Sequence, residues 1–155
     1  NRVDGTVDAE TSNGAIELTG GTDDVNLRTT NGRIELREVT GRIQARTSNG
    51  AIVASLEELG HEAVFSTSNG SIDVVIRNGI APVTATTSNG SITVTLPPVF
   101  SGQLDAKTRN GRVSSDFPIL VNEVSKHSLV GQIGAGGAAT VKLQTSNGSI
   151  HLKRQ

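Results

Sequence analysis

A four-residue motif, TSNG or a close variant of it, recurs seven times along the chain and constrains its fold more than any other feature. The glycines that end the seven copies are Gly14, Gly32, Gly50, Gly70, Gly90, Gly111 and Gly148. Successive copies lie 18 to 21 residues apart, except that the last follows after 37 residues. A period of this length is typical of repeat proteins, in which each copy is one structural unit.

Apolar and polar residues alternate on both sides of every motif. In the fourth copy, for example, Ala63 and Phe65 precede the motif, whereas Ile72 and Val74 follow it. The same positions are apolar in nearly every other copy. Alternation with a period of two indicates half-buried strands. Each repeat is therefore predicted to contain a strand, a fixed corner, a second strand and a corner of variable length.

Two all-β architectures fit such a unit. The chain could form a single-domain parallel β-solenoid (β-helix) of about seven coils over residues 1–155, or antiparallel hairpin repeats that build a barrel or prism. We favour the solenoid, because length varies only at the second corner and because the whole TSN triplet recurs, whereas a hairpin turn needs only Asn-Gly. A hydrophobic content of 34% with only 2% aromatics also suits a thin core of Val, Ile, Leu and Ala.

The corner residues define two predicted surfaces of the solenoid. Stacked Asn side chains are expected to form a structural corner ladder of hydrogen bonds, and glycine is expected to supply a positive φ at each corner. The ladder residues are Asn13, Asn31, Asn49, Asn69, Asn89, Asn110 and Asn147. The hydroxyl residues beside them would form an exposed stripe, a candidate contact surface for a ligand. They are Ser12, Thr30, Ser48, Ser68, Ser88 and Ser146.

Residues 112–140 depart from the repeat. We interpret them as an irregular insertion before the last coil, or as a cap, since an open solenoid end exposes unpaired backbone groups. The glycine-rich GQIGAGG at 131–137 lacks the spacing of a phosphate-binding loop and is predicted to be a turn or bulge.

No set of residues has the pattern of a catalytic, cofactor or metal site, and we expect none. Glu17 and Glu35 share one column in neighbouring repeats, but the column continues with Val53 and no pocket is indicated. Glu10 is followed in its column by Arg28 and Arg46, which indicates a surface ion pair between coils. His61, Asp23 and Asp24 lie at variable corners and are predicted to be solvated.

The charge balance and the apolar runs bear on partners. With 14 basic and 15 acidic residues spread along the chain, nucleic acid is a disfavoured partner. No apolar run approaches the roughly 18 residues of a membrane span, so none is expected in this chain.

The late stretches RNGRVSSDFP, GQIGAGG and VKLQTSNGSIHL, together with the TSNG repeats, resemble the bacterial β-strand-repeat domains of unknown function that are often labelled as adhesins. This resemblance covers nearly the whole chain. It implies a β-solenoid, a bacterial origin and an association with the cell envelope, and it supplies no catalytic residues.

The sequence thus favours a non-enzymatic structural or interaction module of the bacterial cell envelope. Its expected partners are a protein or glycan of the cell surface, or further copies of the chain. The alternative is a carbohydrate-binding or carbohydrate-processing β-helix, which would need carboxylates from adjacent coils to converge in a groove. Because the chain begins at Asn1 and not at Met, we expect a signal or an anchor to lie outside it.

Overall fold

A computed structural model describes residues 5–21 and 23–155, so residues 1–4 of the predicted domain and Thr22 lie outside the described residues. The described chain contains sixteen β-strands and no helix, hence no helix with the length and apolar character that a membrane crossing needs. The strands are β1 (Val7–Asn13), β2 (Ile16–Gly21), β3 (Val25–Asn31), β4 (Ile34–Val39), β5 (Ile43–Asn49), β6 (Ile52–Leu59), β7 (Ala63–Asn69), β8 (Ile72–Gly79), β9 (Val83–Asn89), β10 (Ile92–Leu96), β11 (Gly102–Asn110), β12 (Val113–Ser115), β13 (Ile119–Val124), β14 (Ser128–Ile133), β15 (Thr140–Asn147) and β16 (Ile150–Arg154).

The strands form two open sheets of mostly parallel strands. The larger sheet has the order β1-β3-β5-β7-β9-β15-β11-β14-β13, and the smaller has the order β12-β16-β10-β8-β6-β4-β2. Each strand that precedes a TSNG corner lies in the larger sheet, and each strand that follows one lies in the smaller sheet. The predicted parallel β-solenoid is therefore confirmed, and the alternative of a barrel or prism of antiparallel hairpins is wrong.

The register of the sheets is that of the sequence columns. Ile72 pairs with Ile52 on one side and with Ile92 on the other, and Phe65 lies between Ala45 and Ala85. Because alternate side chains point to opposite faces of a strand, these columns face inward from both sheets and fill one thin core. The small side chains of Ala45 and Ala85 on either side leave room for the ring of Phe65, which is fully buried in this thin core.

The order of the coils along the axis differs from their order in the chain. We number the coils by sequence, so that coil 1 is β1–β2, coils 2 to 5 follow through β10, coil 6 is β11–β12 and coil 7 is β15–β16. Coil 7 lies between coil 5 and coil 6, because β15 pairs with both β9 and β11, and β16 with both β10 and β12. The last coil in sequence is thus an internal coil of the stack.

The segment 112–140 is also more regular than predicted. Its residues supply β12 and then an antiparallel hairpin, β13–β14, in which β14 pairs with the outer edge of β11. The smaller sheet has no strands at the level of this hairpin, since it ends at β12. The larger sheet therefore extends two strands beyond the smaller one, and we call β13–β14 the overhanging hairpin.

Candidate interaction surface

The corner Asn side chains lie in one continuous row on the solvent-exposed edge of the solenoid. From the second coil of the stack onward, the Nδ2 group of each Asn donates to the Oδ1 atom of the Asn in the preceding coil, over N–O distances of 2.8 to 2.9 Å. The row runs through Asn13, Asn31, Asn49, Asn69, Asn89, Asn147 and Asn110. The structure thus brings all seven predicted ladder residues together, in the order of the stack.

The first Thr of the motif has a structural role that the sequence analysis missed. Its side chain is buried, and its hydroxyl donates to the carbonyl oxygen of the motif glycine in the neighbouring coil at 2.8 to 3.3 Å. These residues are Thr29, Thr47, Thr67, Thr87, Thr108 and Thr145. The signal was present, since this position continues the inward-facing alternation of the strand and a buried hydroxyl needs an internal partner.

The glycines are required for a different reason from the one predicted. Among the described corner glycines only Gly14 has a positive φ, of 146°. At Gly90 a Cβ atom would lie 2.0 Å from the carbonyl oxygen of Gly70, and the other stacked corners show the same approach. Glycine is therefore needed because two backbones nearly touch at the corner, and this contact leaves no room for a side chain.

The predicted hydroxyl stripe is open to solvent along the same edge. Five of its members, Ser12 and the Ser or Thr of the next four coils, are exposed, and Ser146 is half-buried. In coil 6 the stripe position is occupied by Arg109, so the row of hydroxyls ends against a cation. The stripe is a polar surface, and a depression of about 260 Å³ lies beside Ser146 and Arg109, where coils 7 and 6 meet.

One of the two carboxylates in the candidate catalytic pair, that of Glu35, is bound by neighbouring arginines. Glu17 and Glu35 are adjacent in register, as the columns predicted. The Arg37 guanidinium hydrogen-bonds the Glu35 carboxylate, which lowers the pKa of that carboxyl, and Arg33 lies 3.8 Å away and acts in the same direction. A carboxylate kept ionised by arginines is a poor general acid.

Within the described residues, the other candidate charge clusters form neither an ion pair nor a group that could hold a metal ion. Glu10 and Arg28 face each other in register, but within the described residues they make no ion pair at 4 Å or less. Asp23 and His61 line one shallow depression of about 250 Å³ together with Arg42. The described part of the chain has no group of three or more His, Asp or Glu side chains arranged to hold a metal ion.

A model of a family described as a domain of unknown function, DUF7330, matches residues 22–154. The chain belongs to this family. A search of curated proteins and a search of solved structures find no match to the chain. In this DUF7330 chain the match begins after β2, the last strand of coil 1, and runs through coil 7. The internal coil 7 and the overhanging hairpin are therefore part of the family's domain.

The overhanging hairpin of the DUF7330 chain exposes apolar side chains on both faces. Val121 and Val124 lie opposite Gly131 and Leu129, which in turn lie opposite Leu104 and Ala106 of the core. The two valines therefore face inward, yet they are 47% and 64% exposed, because no strand of the smaller sheet covers them. On the outer face, Leu120 is 70% exposed. Three of the five exposed large hydrophobic residues of the described chain lie in this one strand.

Proposed function

We propose that the chain is a non-enzymatic interaction module that associates with a second copy of itself through the overhanging hairpin. The observation that carries this proposal is the exposure of Val121 and Val124 on the core-facing side of a sheet. Apolar residues that face inward and remain uncovered are a feature of binding surfaces. The solenoid itself serves as a rigid support for this surface.

The shape of this end suits a second copy better than an unrelated partner. One sheet is two strands longer than the other, so the end of the molecule is a step. When two such steps meet about a two-fold axis, the hairpin of each copy lies at the level where the other copy lacks strands. Both sets of valines are then covered at the usual distance of about 10 Å between packed sheets.

The association is expected to be weak and to depend on concentration. The covered face is only two short strands wide, so we expect the contact to bury less than the roughly 1,200 Å² of total surface found in stable interfaces. The strand β13 also contains a bulge between Val121 and Glu123, and bulges limit unspecific pairing at an exposed edge. A specific but transient contact is consistent with both features.

Two observations support a non-enzymatic role. The adjacent carboxylates, Glu17 and Glu35, lie on an outward strand face, and Glu35 is bound by Arg37. Along coils 1 to 5, the outward corner surface consists of hydroxyls and amides that are spaced by strand separation. The adhesin role, the bacterial cell envelope and a glycan partner stay predictions from the sequence and its resemblance.

The test is the molar mass of the purified chain by sedimentation over a wide concentration range. We expect a reversible shift from monomer to dimer that is lost in the variant Val121→Lys/Val124→Lys, whose charges would have to be buried in the contact. The matched control is Val99→Lys, since Val99 is 79% exposed but lies outside the hairpin. A monomer at all concentrations, or an equal loss with Val99→Lys, would refute the proposal.

A further inference from the structure

A cleft of about 610 Å³ lies between the corner of coil 6 and the turn of the overhanging hairpin. Its walls carry four basic side chains, those of Arg112, Lys126, His127 and His151, and no carboxylate is among its lining residues in the described chain. Residues 98–155 as a whole contain seven Lys and Arg against three Asp and Glu, whereas residues 5–97 contain six against eleven. The positive charge of the molecule is therefore concentrated at the end that holds this cleft.

The hairpin turn closes the corner of coil 6 by taking the place of a further coil. In the stack, the residue two positions after the motif glycine donates its N–H to a backbone carbonyl of the next coil, and Val113 of coil 6 donates instead to the Lys126 carbonyl at 3.3 Å. The motif glycine carbonyl usually accepts a Thr hydroxyl, and that of Gly111 instead accepts His127 Nδ1 at 2.9 Å. These contacts hold Lys126 and His127 at the cleft.

Two corner groups of coil 6 are not matched by the hairpin turn. In the other six corners the glycine N–H donates to the Asn carbonyl of the next coil, at 2.9 to 3.2 Å. The Gly111 N–H has no hydrogen-bond partner within the described residues. The Oδ1 atom of Asn110 likewise receives no donor from the described chain, whereas the other ladder Oδ1 atoms each accept one. Both groups belong to residues that line the cleft.

We propose that the cleft binds the phosphate or sulfate ester of a hydroxylated ligand about the size of a sugar. The Gly111 N–H, Arg112 and Lys126 are donors for an oxyanion, and an arginine guanidinium matches the paired oxygens of such a group. The exposed Asn110 Oδ1 atom is an acceptor that is available to a hydroxyl of the ligand. Inorganic sulfate offers the oxyanion without a hydroxyl donor, and a neutral sugar offers hydroxyl donors without an oxyanion.

The two histidines complete the wall of the cleft, and the structure holds both rings in place. His127 is fixed by its bond to the Gly111 carbonyl, and His151 by a hydrogen bond of 2.5 Å between its Nδ1 atom and the Ser114 hydroxyl. A preorganised wall lowers the entropy lost when a ligand binds. The cleft is within the usual size range of small-molecule sites, roughly 300 to 1,000 Å³.

The experiment follows backbone amide signals by NMR in the unsubstituted chain, at concentrations at which sedimentation shows it to be monomeric. Glucose 6-phosphate and glucose 6-sulfate are the probes, and inorganic sulfate and glucose are the comparisons. We expect a saturable shift of the Gly111 amide with at least one ester, weaker binding of inorganic sulfate and none of glucose. Binding should weaken as salt is added.

One arginine variant and one lysine variant distinguish binding in the cleft from attraction by the general positive charge of this end. Arg112→Gln should weaken binding of the ester about tenfold or more, because a hydrogen bond to a charged group is worth roughly 1.5 to 3 kcal/mol. Lys153→Gln removes an exposed charge outside the cleft and should leave binding unchanged. The proposal fails if the esters give no saturable Gly111 shift, if inorganic sulfate binds as tightly as the esters, or if both variants weaken binding equally.

Discussion

Coils 1 to 5 and the end formed by coil 7, coil 6 and the overhanging hairpin are built from the same repeat but are assembled differently. In the first region, neighbours in the stack are neighbours in sequence, 18 to 20 residues apart. In the second, Asn147 donates to Asn89 across 58 residues, and Asn110 to Asn147 across 37. The N–O distance is the same, 2.8 Å. Neighbours in the stack are therefore not always neighbours in the chain.

The two regions also end differently. Coil 1 leaves its inward residues, such as Val7 and Ile16, only half-buried. At the other end the hairpin covers one sheet of coil 6 and leaves the other sheet uncovered, which produces both the exposed valines and the basic cleft. The end that departs from the repeat thus carries both surfaces that have the properties of binding sites, the exposed valines and the basic cleft.

The largest predicted effect comes from truncation of the chain after Ala139, which removes coil 7. Four inward residues that are almost fully buried would be lost, namely Val141, Leu143, Ile150 and Leu152. Each buried aliphatic side chain contributes roughly 1.5 to 3 kcal/mol, and the sum is comparable with the whole stability of a typical domain. We expect loss of cooperative unfolding and of amide protection in coil 6 and the hairpin, measured by hydrogen exchange.

The control for this truncation is a chain that starts at Asp23 and lacks coil 1. Coil 1 contacts one neighbouring coil only, so its removal should leave the protection of the remaining coils largely intact. If the chain truncated after Ala139 kept full protection in coil 6, then coil 6 would have docked directly on coil 5. That outcome would mean that coils 6 and 7 are interchangeable in the stack.

The second prediction tests the internal position of coil 7 with single substitutions. Ile150→Ala should lower the free energy of unfolding by roughly 2 to 5 kcal/mol, as should Ile72→Ala, because each opens a void between two covering coils. Ile16→Ala should cost clearly less, since Ile16 is half-buried in an end coil. Denaturant unfolding measures all three. Equal losses at Ile16 and Ile150 would contradict the stacking order.

Much of this architecture could be predicted because the repeat contains it explicitly. Alternation set the inward and outward faces, and the common columns set the register and the adjacency of the Asn side chains. The same alternation also indicates the buried Thr, because Thr67 lies two residues after the inward-facing Phe65 and therefore faces inward as well. The glycine contact was harder to predict, because it depends on how closely neighbouring backbones approach at the corner.

The order of the last coils and the basic cleft could not be predicted from one sequence. Coils 6 and 7 carry similar columns, although coil 6 has Ser115 where coil 7 has Leu152. The order of the two coils also depends on the path of the segments between them. The cleft joins Arg112, His127 and His151, which are far apart in sequence and meet only because the hairpin folds back on coil 6. No local sequence pattern indicates that the hairpin folds back on coil 6.

The third prediction concerns the hydrogen bonds that join the corners. Thr87→Val replaces the buried hydroxyl by a methyl group of similar size, and the Gly70 carbonyl loses its donor. We expect a loss of about 1 to 2 kcal/mol in denaturant unfolding, since a buried acceptor is left unsatisfied. Ser88→Ala, one residue away on the exposed stripe, should have almost no effect. A large effect of Ser88→Ala would mean that the inward and outward faces are assigned wrongly.

The smallest predicted effect is electrostatic and belongs to the regular region. Because Arg37 hydrogen-bonds the Glu35 carboxylate, the pKa of Glu35 is lowered in the folded chain. A lowered folded pKa means that the stabilisation is present above the unfolded pKa, about 4.3 for Glu, and is lost as the pH falls through the folded value. Arg37→Gln should raise the pKa of Glu35 in an NMR titration, whereas Arg77→Gln, which removes the ion pair with Glu57, should not. Since Glu35 is solvent-accessible, Arg37→Gln should change stability near neutral pH very little. A clear loss there would mean that outward charges contribute to holding coils 1 to 5 together, and not only the inward columns and corner ladders.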